Sequence, residues 1–395
     1  MIITSMRRDT IIQHIGEEKK FEGAVAPGIC QTSLFVFEQA ADLRSMTADP
    51  ASIPGKYVYS PMGNPTLATA EAKIAALEGT ESALLFASGM GAISAALFSC
   101  LKAGDHIVCV DTCYGPTHAM LADYLPRFGV ETTFVVGEDP EDFVRATRPN
   151  TRVFYLESPS SILFRFQDFR AITDFAKSRG IKTITDNSYA SPIFQQPHSM
   201  GVDIVVHSAT KYIAGHSDVV AGALCGDKAT CDRIVNEEAR VMGNRIAPFE
   251  AWLITRGLRT LRLRAEEAQR TGNALASFLK SREEVRMVFH AGDEHHPQHA
   301  LYEAQMQGST GLVTFMPKFQ QQEDVYRFLE SLKIFQIGVS WGGFESLAVP
   351  IYSTPMDWPE PKWLIRLYGG LEDNEDLIED LDQAFRAVGA RHATS

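Results

Sequence analysis

Two strand ends carry the side chains most able to do chemistry. The first closes the β-branched run from Val202 to Val206, which is followed by His207-Ser208-Ala209-Thr210-Lys211-Tyr212. A neutral lysine amine can condense with an aldehyde to form a Schiff base, which few other side chains can do. Taken alone, Ser-x-Thr-Lys after a strand is an ordinary surface lysine. Upstream, however, Ile181-Lys182-Thr183-Ile184-Thr185 ends in Asp186-Asn187-Ser188. An aspartate at a strand end is the partner a pyridinium nitrogen requires, because its charge keeps the ring protonated and electron-withdrawing. In open parallel sheets, ligands bind outside the carboxyl ends of the strands.

Those ends need a sheet behind them, and the surrounding pattern supplies one. Ala83-Leu84-Leu85-Phe86-Ala87 reads as a buried strand, and Ser88-Gly89-Met90-Gly91 opens an apolar helix. Glycine at a helix N-terminus lets backbone N–H groups approach a phosphate, and the helix dipole adds to the attraction. Further strands are expected at residues 107–110, 132–136 and 153–156, with helical stretches between. The alternation predicts an α/β protein whose mostly parallel sheet is covered on both faces. A rival reading takes Gly89-x-Gly91 and Asp111 as a dinucleotide fingerprint. Ser94 stands where its third glycine should be, and that reading leaves Lys211 and Asp186 unexplained.

Composition bounds the rest. A chain of 395 residues allows two domains and a core that needs no disulfides. The formal net charge of −12 argues against a nucleic-acid surface, and no apolar run approaches a membrane span. Met1 to Ser5 lacks the apolar core of a signal peptide. The six cysteines show no disulfide framework or paired metal spacing, which fits buried thiols in a reducing cytoplasm. Arg259, Arg262 and Arg264 alternate with leucines on an expected long helix beginning near Arg256, as a solvated or subunit-facing stripe. His290, His295, His296 and His299 share a loop with Gly292 and Pro297, so no metal is expected there.

Several motifs in order now carry a resemblance. SATKYIAGHSD, from Ser208 to Asp218, with DNSYASP ahead of it from Asp186, resembles the Cys/Met-metabolism group of pyridoxal-phosphate enzymes. That group includes cystathionine β- and γ-lyases, cystathionine γ-synthases and methionine γ-lyases. The likeness runs from about residue 31 to 385 and implies the aspartate-aminotransferase-like fold type I, with a large cofactor domain and a smaller α+β C-terminal domain. Residues 1–62 would be an arm reaching a neighbouring subunit, 63–255 the domain holding pyridoxal 5'-phosphate, and 256–395 the C-terminal domain. A homo-oligomer is implied, a tetramer built as a dimer of dimers, working in the cytoplasm on a small amino acid.

The resemblance also assigns roles. Lys211 would carry the cofactor and, with Tyr114 in Cys113-Tyr114-Gly115-Pro116-Thr117, handle the substrate proton. Tyr114 would stack on the ring and Asp186 would hold its nitrogen. Gly89, Met90, Ser208 and Thr210 would hold the phosphate, together with Tyr59 of the neighbour. Ser161, in Glu157-Ser158-Pro159-Ser160-Ser161, would lie near the phenolic oxygen, in the β-lyase form of this motif. Ser340, in Ser340-Trp341-Gly342-Gly343, would face the substrate, and Arg366, in Leu364-Ile365-Arg366-Leu367, would clamp its α-carboxylate. Pro61 stands where the family's arm has a phosphate-holding arginine, and proline can donate no hydrogen bond.

The expected activity is elimination at the β- or γ-carbon of a sulfur-containing or related amino acid, in the style of a cystathionine β-lyase. Val58 and Val339 occupy positions where cystathionine-using γ-enzymes tend to carry acids, and Pro116 occupies the cysteine position of methionine γ-lyases. A γ-lyase acting on another γ-substituted amino acid, such as canavanine, an O-substituted homoserine or a methionine-like substrate, is the alternative. A cofactor-binding regulator without turnover is disfavoured, because lysine, aspartate, tyrosine and arginine are all present.

Overall fold

The structure is a computed structural model that describes residues 6–18, 20–48, 52–53 and 55–392. Met1 to Ser5, read above for a leader, lie outside them. Among the described residues, a seven-stranded sheet holds β1 (Ser82–Phe86), β2 (His106–Val110), β3 (Glu131–Val135), β4 (Thr151–Leu156), β5 (Lys182–Asp186), β6 (Ile204–His207) and β7 (Gly222–Gly226). Their order is β1-β7-β6-β5-β4-β2-β3. The pairs from β6 through β5, β4 and β2 to β3 are parallel, and β7 runs antiparallel between β1 and β6. The central strands are apolar and buried on both faces, as helix-covered parallel strands must be. Val205 and Val206 are fully buried, and each such side chain contributes about 1.5–3 kcal/mol.

The strand order disposes of the dinucleotide reading. A nucleotide-binding βαβ unit needs neighbouring strands, yet β7, β6, β5 and β4 lie between β1 and β2. Asp111 instead accepts a hydrogen bond from the Met356 amide at 2.8 Å. The antiparallel β7 was not foreseen. Its Gly222 shows why it sits there: a Cβ would meet the Ser88 carbonyl oxygen at 2.1 Å, so this position admits only glycine beside the β1–helix turn.

A second sheet of five strands comprises β8 (Val285–Phe289), β9 (Leu312–Pro317), β10 (Gln336–Ile337), β11 (Leu347–Ser353) and β12 (Lys362–Tyr368), ordered β10-β11-β12-β9-β8. Side chains alternate faces along a strand. Val313 and Phe315 on β9, and Ile365 and Leu367 on β12, join Leu279, Phe328 and Phe385 in a core under three helices. The opposite face of the same strands carries Met316 and Leu364, which pack on Leu163 of the large domain. Arg366 falls on that second face by parity with Leu364.

Several local expectations change. The helix Pro65–Glu78 has a local start, with Asn64 accepting from the Thr66 amide at 2.9 Å and Pro65 at its first position. The helix expected to begin near Arg256 is two helices, Pro248–Leu258 and Leu261–Lys280. The basic stripe is not solvated throughout. Arg264 is buried and donates to the Tyr212 and Gly257 carbonyls, both at 2.7 Å. Arg259 and Arg262 bind Glu17 and Asp9, at 2.8 and 2.7 Å, and tie the N-terminal segment to the junction of these two helices. That segment does not reach outward as a whole: Ile12 is buried, and Glu17 pairs with buried Lys73 at 2.9 Å.

Candidate active site

The carboxyl ends of parallel strands converge, and the side chains after β2, β4, β5 and β6 meet in one cavity of about 290 Å³. Its wall includes Tyr114, Ser161, Asp186, Ser208 and Lys211 from the large domain, and Val339, Ser340 and Arg366 from the second sheet and its loop. These residues span 252 positions of sequence, from 114 to 366, and only the tertiary fold brings them together.

Lys211 is the centre. Its Nζ donates to Ser340 Oγ at 2.7 Å and lies 5.3 Å from the Trp341 ring centroid. Burial, with Arg366 nearby, pushes its ammonium down to about 8 against the opposing pull of Asp186. The loop bearing Ser340 closes directly on the lysine backbone. Gly342 has φ +86°, and a Cβ there would meet Lys211 Cα at 3.0 Å, so only glycine allows both the turn and the approach.

Asp186 accepts from the Ser188 amide at 2.9 Å. Burial raises its carboxyl above the ordinary range, opposed by that bond and by the charges of His207 and Lys211. A cationic ring nitrogen in the cavity would add a further opposite charge and offset the cost of burying this carboxylate. At the other end, the N–H groups of Gly89 and Met90 have no acceptor among the described residues, at the start of the 12-residue helix Gly89–Cys100. Ser208 packs so closely on Gly89 that a Cβ would meet it at 3.1 Å. Orphan amides, a helix N-terminus and a serine hydroxyl make a phosphate cradle. Lysine, aspartate and cradle therefore fit pyridoxal 5'-phosphate.

Not every expected contact is free. The Thr210 hydroxyl donates to the Ala221 carbonyl at 3.1 Å and accepts from the Ala221 amide at 2.9 Å, so its one proton is already used within the loop. Tyr59 and Val58 do not line the cavity of their own chain. Tyr59 bridges to Leu34 and is half exposed, and the Val58 carbonyl accepts from the Phe35 amide at 3.1 Å. Arg366 donates to the Val339 carbonyl at 2.8 Å, which aims its guanidinium along the cavity wall and leaves donors for a carboxylate.

Glu157 is the residue the sequence reading passed over. It stands at a strand end in Glu157-Ser158-Pro159-Ser160-Ser161, where nothing local marks it as functional. It is buried, its Oε2 accepts from the Tyr114 amide at 2.7 Å, and its Oε1 accepts from the Ser161 hydroxyl at 2.5 Å. One carboxyl thus holds two cavity residues. Burial first, then the charge of Asp186, push it up to about 8. Tyr114 is also raised, by burial, Asp186 and Glu157, and keeps its phenolic proton at neutral pH. The loop histidines have other partners: buried His290 bonds Asn273 at 2.9 Å, and His296 accepts from the Gln298 amide.

Comparisons with known proteins agree with this geometry. The family model described as "Cys/Met metabolism PLP-dependent enzyme" matches residues 9–386. A cystathionine γ-lyase of Bacillus subtilis is 36% identical, over 97% of this chain and all of that protein. An L-methionine γ-lyase of Treponema denticola is 38% identical, over 94% of each. The crystal structure of metB from Corynebacterium glutamicum superposes with a TM-score of 0.89 at 31% identity, covering 97% of this chain and 99% of that one.

Proposed function

Because the chain belongs to the Cys/Met-metabolism family of PLP-dependent enzymes, we propose that it is a carbon–sulfur lyase for an amino acid whose distal group is uncharged. The observation that carries this is Lys211, held by Ser340 at 2.7 Å in one cavity with Asp186 and Arg366. When bound, pyridoxal phosphate supplies an aldehyde for amines and an electron sink for the bond broken at the α-carbon.

The protein's own groups do the rest. Arg366 holds the substrate carboxylate with paired donors, which fixes the amino acid by its shared end. Lys211, whose ammonium is lowered to about 8, has a substantial neutral fraction at mildly alkaline pH and takes the α-proton. Ser340 keeps Nζ on the cavity side. Tyr114, protonated at neutral pH, is placed as an acid for the departing sulfur. Glu157 fixes Tyr114 and Ser161 together.

The far wall sets specificity. Val339, Ile162 and Trp341 line it, and Val339 is largely exposed. A distal ammonium would find no carboxylate on these side chains, while a thioether would lose little water there. Elimination at the β- and the γ-carbon uses the same residues, so product identity decides between them. The test is a panel of cystathionine, methionine, S- and O-substituted homoserines and canavanine, scored separately for pyruvate, 2-oxobutyrate and homoserine. A keto acid from a neutral thioether supports the reading; no keto acid from any sulfur substrate refutes it.

The working unit in this proposal is a homo-oligomer, a tetramer built as a dimer of dimers. Val25, Leu34 and Val36 are exposed on the N-terminal segment, and Val241 and Phe249 on the large domain. Tyr59 stands outside its own cavity and is free to serve a neighbour's. Among the described residues no helix is long and apolar enough to cross a membrane, and all six cysteines are free thiols, which supports a reducing cytoplasm as the site of action.

A further inference from the structure

We propose that a second cavity, behind the wall of the first, binds a small aromatic carboxylate. This goes beyond the lyase reading; the binding does not depend on it, and only the effect on substrate KM rests on it. The cavity encloses about 630 Å³, more than twice the catalytic one, and lies in the size range of small-molecule sites. It forms where β8 and the histidine loop face Leu163 and Arg165 of the large domain and the loop from Trp358 to Lys362. Its body is apolar. Leu163 and Met316 are buried beneath it, Met287 is 47% exposed, and the Phe289 and Trp358 rings lie 6.2 Å apart at 36°. A flat ring suits such a surface better than an aliphatic chain, because offset and tilted aromatic contacts add to simple burial.

Charge decides what the ring must carry. The carboxylates of this wall are already paired: Glu138 with Arg165 at 3.0 Å, Asp293 with Lys280 at 2.5 Å, and Glu360 with Lys362. His290 has both ring nitrogens bonded, and burial lowers it to about 4. Arg286 is the exception. It is exposed on β8 and makes no ion pair among the described residues. Its charged neighbour is Glu360, which already pairs with Lys362, so among the described residues its forked donors are left for a planar carboxylate in a cavity that Phe289 and Trp358 also line. The opposite end is unsuited to an anion, because Asp111, Glu138 and Asp357 surround Arg165. Arg165 Nη1 is nevertheless buried without a partner, a donor that a neutral oxygen would satisfy.

The ligand would be felt in the first cavity. Leu163 directly follows Ser161 and Ile162, which line that cavity. Ile162 and Phe164 hold φ of +70° and +54°, conformations that branched and bulky residues adopt only when the surroundings impose them. A ring pressed on Leu163 therefore acts on the segment that places Ser161.

The test is calorimetric titration of the cofactor-loaded protein with 2-naphthoate, and with 2-naphthamide as its neutral match. Expected is saturable binding that weakens about tenfold or more in Arg286→Gln, in Trp358→Ala and with the amide, while Arg366→Gln leaves it unchanged. Arg286 is an exposed side chain, so its variant should fold and keep its basal activity. No saturable binding, equal binding to both cavity variants, or loss of binding in Arg366→Gln would overturn the site. Saturating 2-naphthoate should also shift the substrate KM of the wild type and not of Arg286→Gln. An unshifted wild-type KM would overturn the link to the first cavity.

Discussion

Replacing Glu157 by glutamine separates what this residue holds from what it costs. The amide oxygen can still accept from the Tyr114 N–H, and the amide nitrogen can donate to Ser161 Oγ, so both contacts at 2.7 and 2.5 Å survive. What disappears is the titration. Burial and Asp186 raise Glu157 from an ordinary 4.5 to about 8, a span of 8 − 4.5, about 3.5 pH units, which is at most roughly 5 kcal/mol. The sign follows from which state binds the proton more tightly. The folded protein holds it up to about pH 8, so this contribution to stability is complete below 4.5 and is lost as pH rises through the folded value. Glutamine is neutral throughout and loses nothing. Between pH 5 and 7.5 the variant should therefore gain on the wild type by roughly 3 kcal/mol, and by little more above pH 8.5. Asp186 shares the cavity, so the gain belongs to the carboxyl pair. Urea midpoints of both cofactor-free proteins, at one protein concentration and across this pH range, measure it. A gap that stays constant or narrows with pH would refute the argument. Glu157→Ala provides the contrast: it leaves the Tyr114 N–H and the Ser161 hydroxyl unpartnered, at about 1–3 kcal/mol. Its kcat/KM should fall by about 10- to 100-fold, while that of the glutamine variant stays near wild type at pH 7.

Other expectations follow from the same geometry. Lys211→Ala should lose covalent cofactor, the visible absorbance band that goes with it and nearly all turnover; a variant with full activity would sink the assignment. Because the Lys211 ammonium is lowered to about 8 and only the neutral amine is a nucleophile, the rate at which cofactor-free protein takes up pyridoxal phosphate should rise with pH and level off above about 8. Pro61→Arg should tighten cofactor binding by about 5- to 30-fold, the equivalent of roughly 1–2 kcal/mol for a charge-assisted contact; unchanged affinity after exhaustive dialysis and titration would show that other donors already hold the phosphate. Arg264→Met would leave the Tyr212 and Gly257 carbonyls without their donor. It should lower stability by roughly 2–4 kcal/mol and raise the KM for cofactor, since Tyr212 follows Lys211.

Local chemistry made much of this protein legible before any coordinates. The β-branched run before Lys211, the strand before Asp186 and the glycines after β1 are short-range patterns, and each describes its own segment whatever surrounds it. The Asn64-Pro65 helix start is a pattern of the same local kind, because a cap is made within a few residues. The family resemblance rested on such segments too, and it supplied roles that spacing alone could not. Arg366 was visible on a strand, but only the parity of β12 against Leu364, in a sheet whose other face is closed by helices, turns it toward Lys211. Arg264 looked like a surface charge because its partners are carbonyls of a distant loop and of the preceding helix's last turn, and a sequence does not show where carbonyls go unpaired. Thr210 is legible as a phosphate-side hydroxyl, but that its hydrogen bond runs to the Ala221 carbonyl, across a turn, shows only in the fold. Glu157 sat in plain view, yet its importance lies in two contacts and in a buried carboxyl 29 residues away in the chain, at Asp186. Burial and charge proximity set that effect, and both are properties of the packed molecule rather than of any stretch of it.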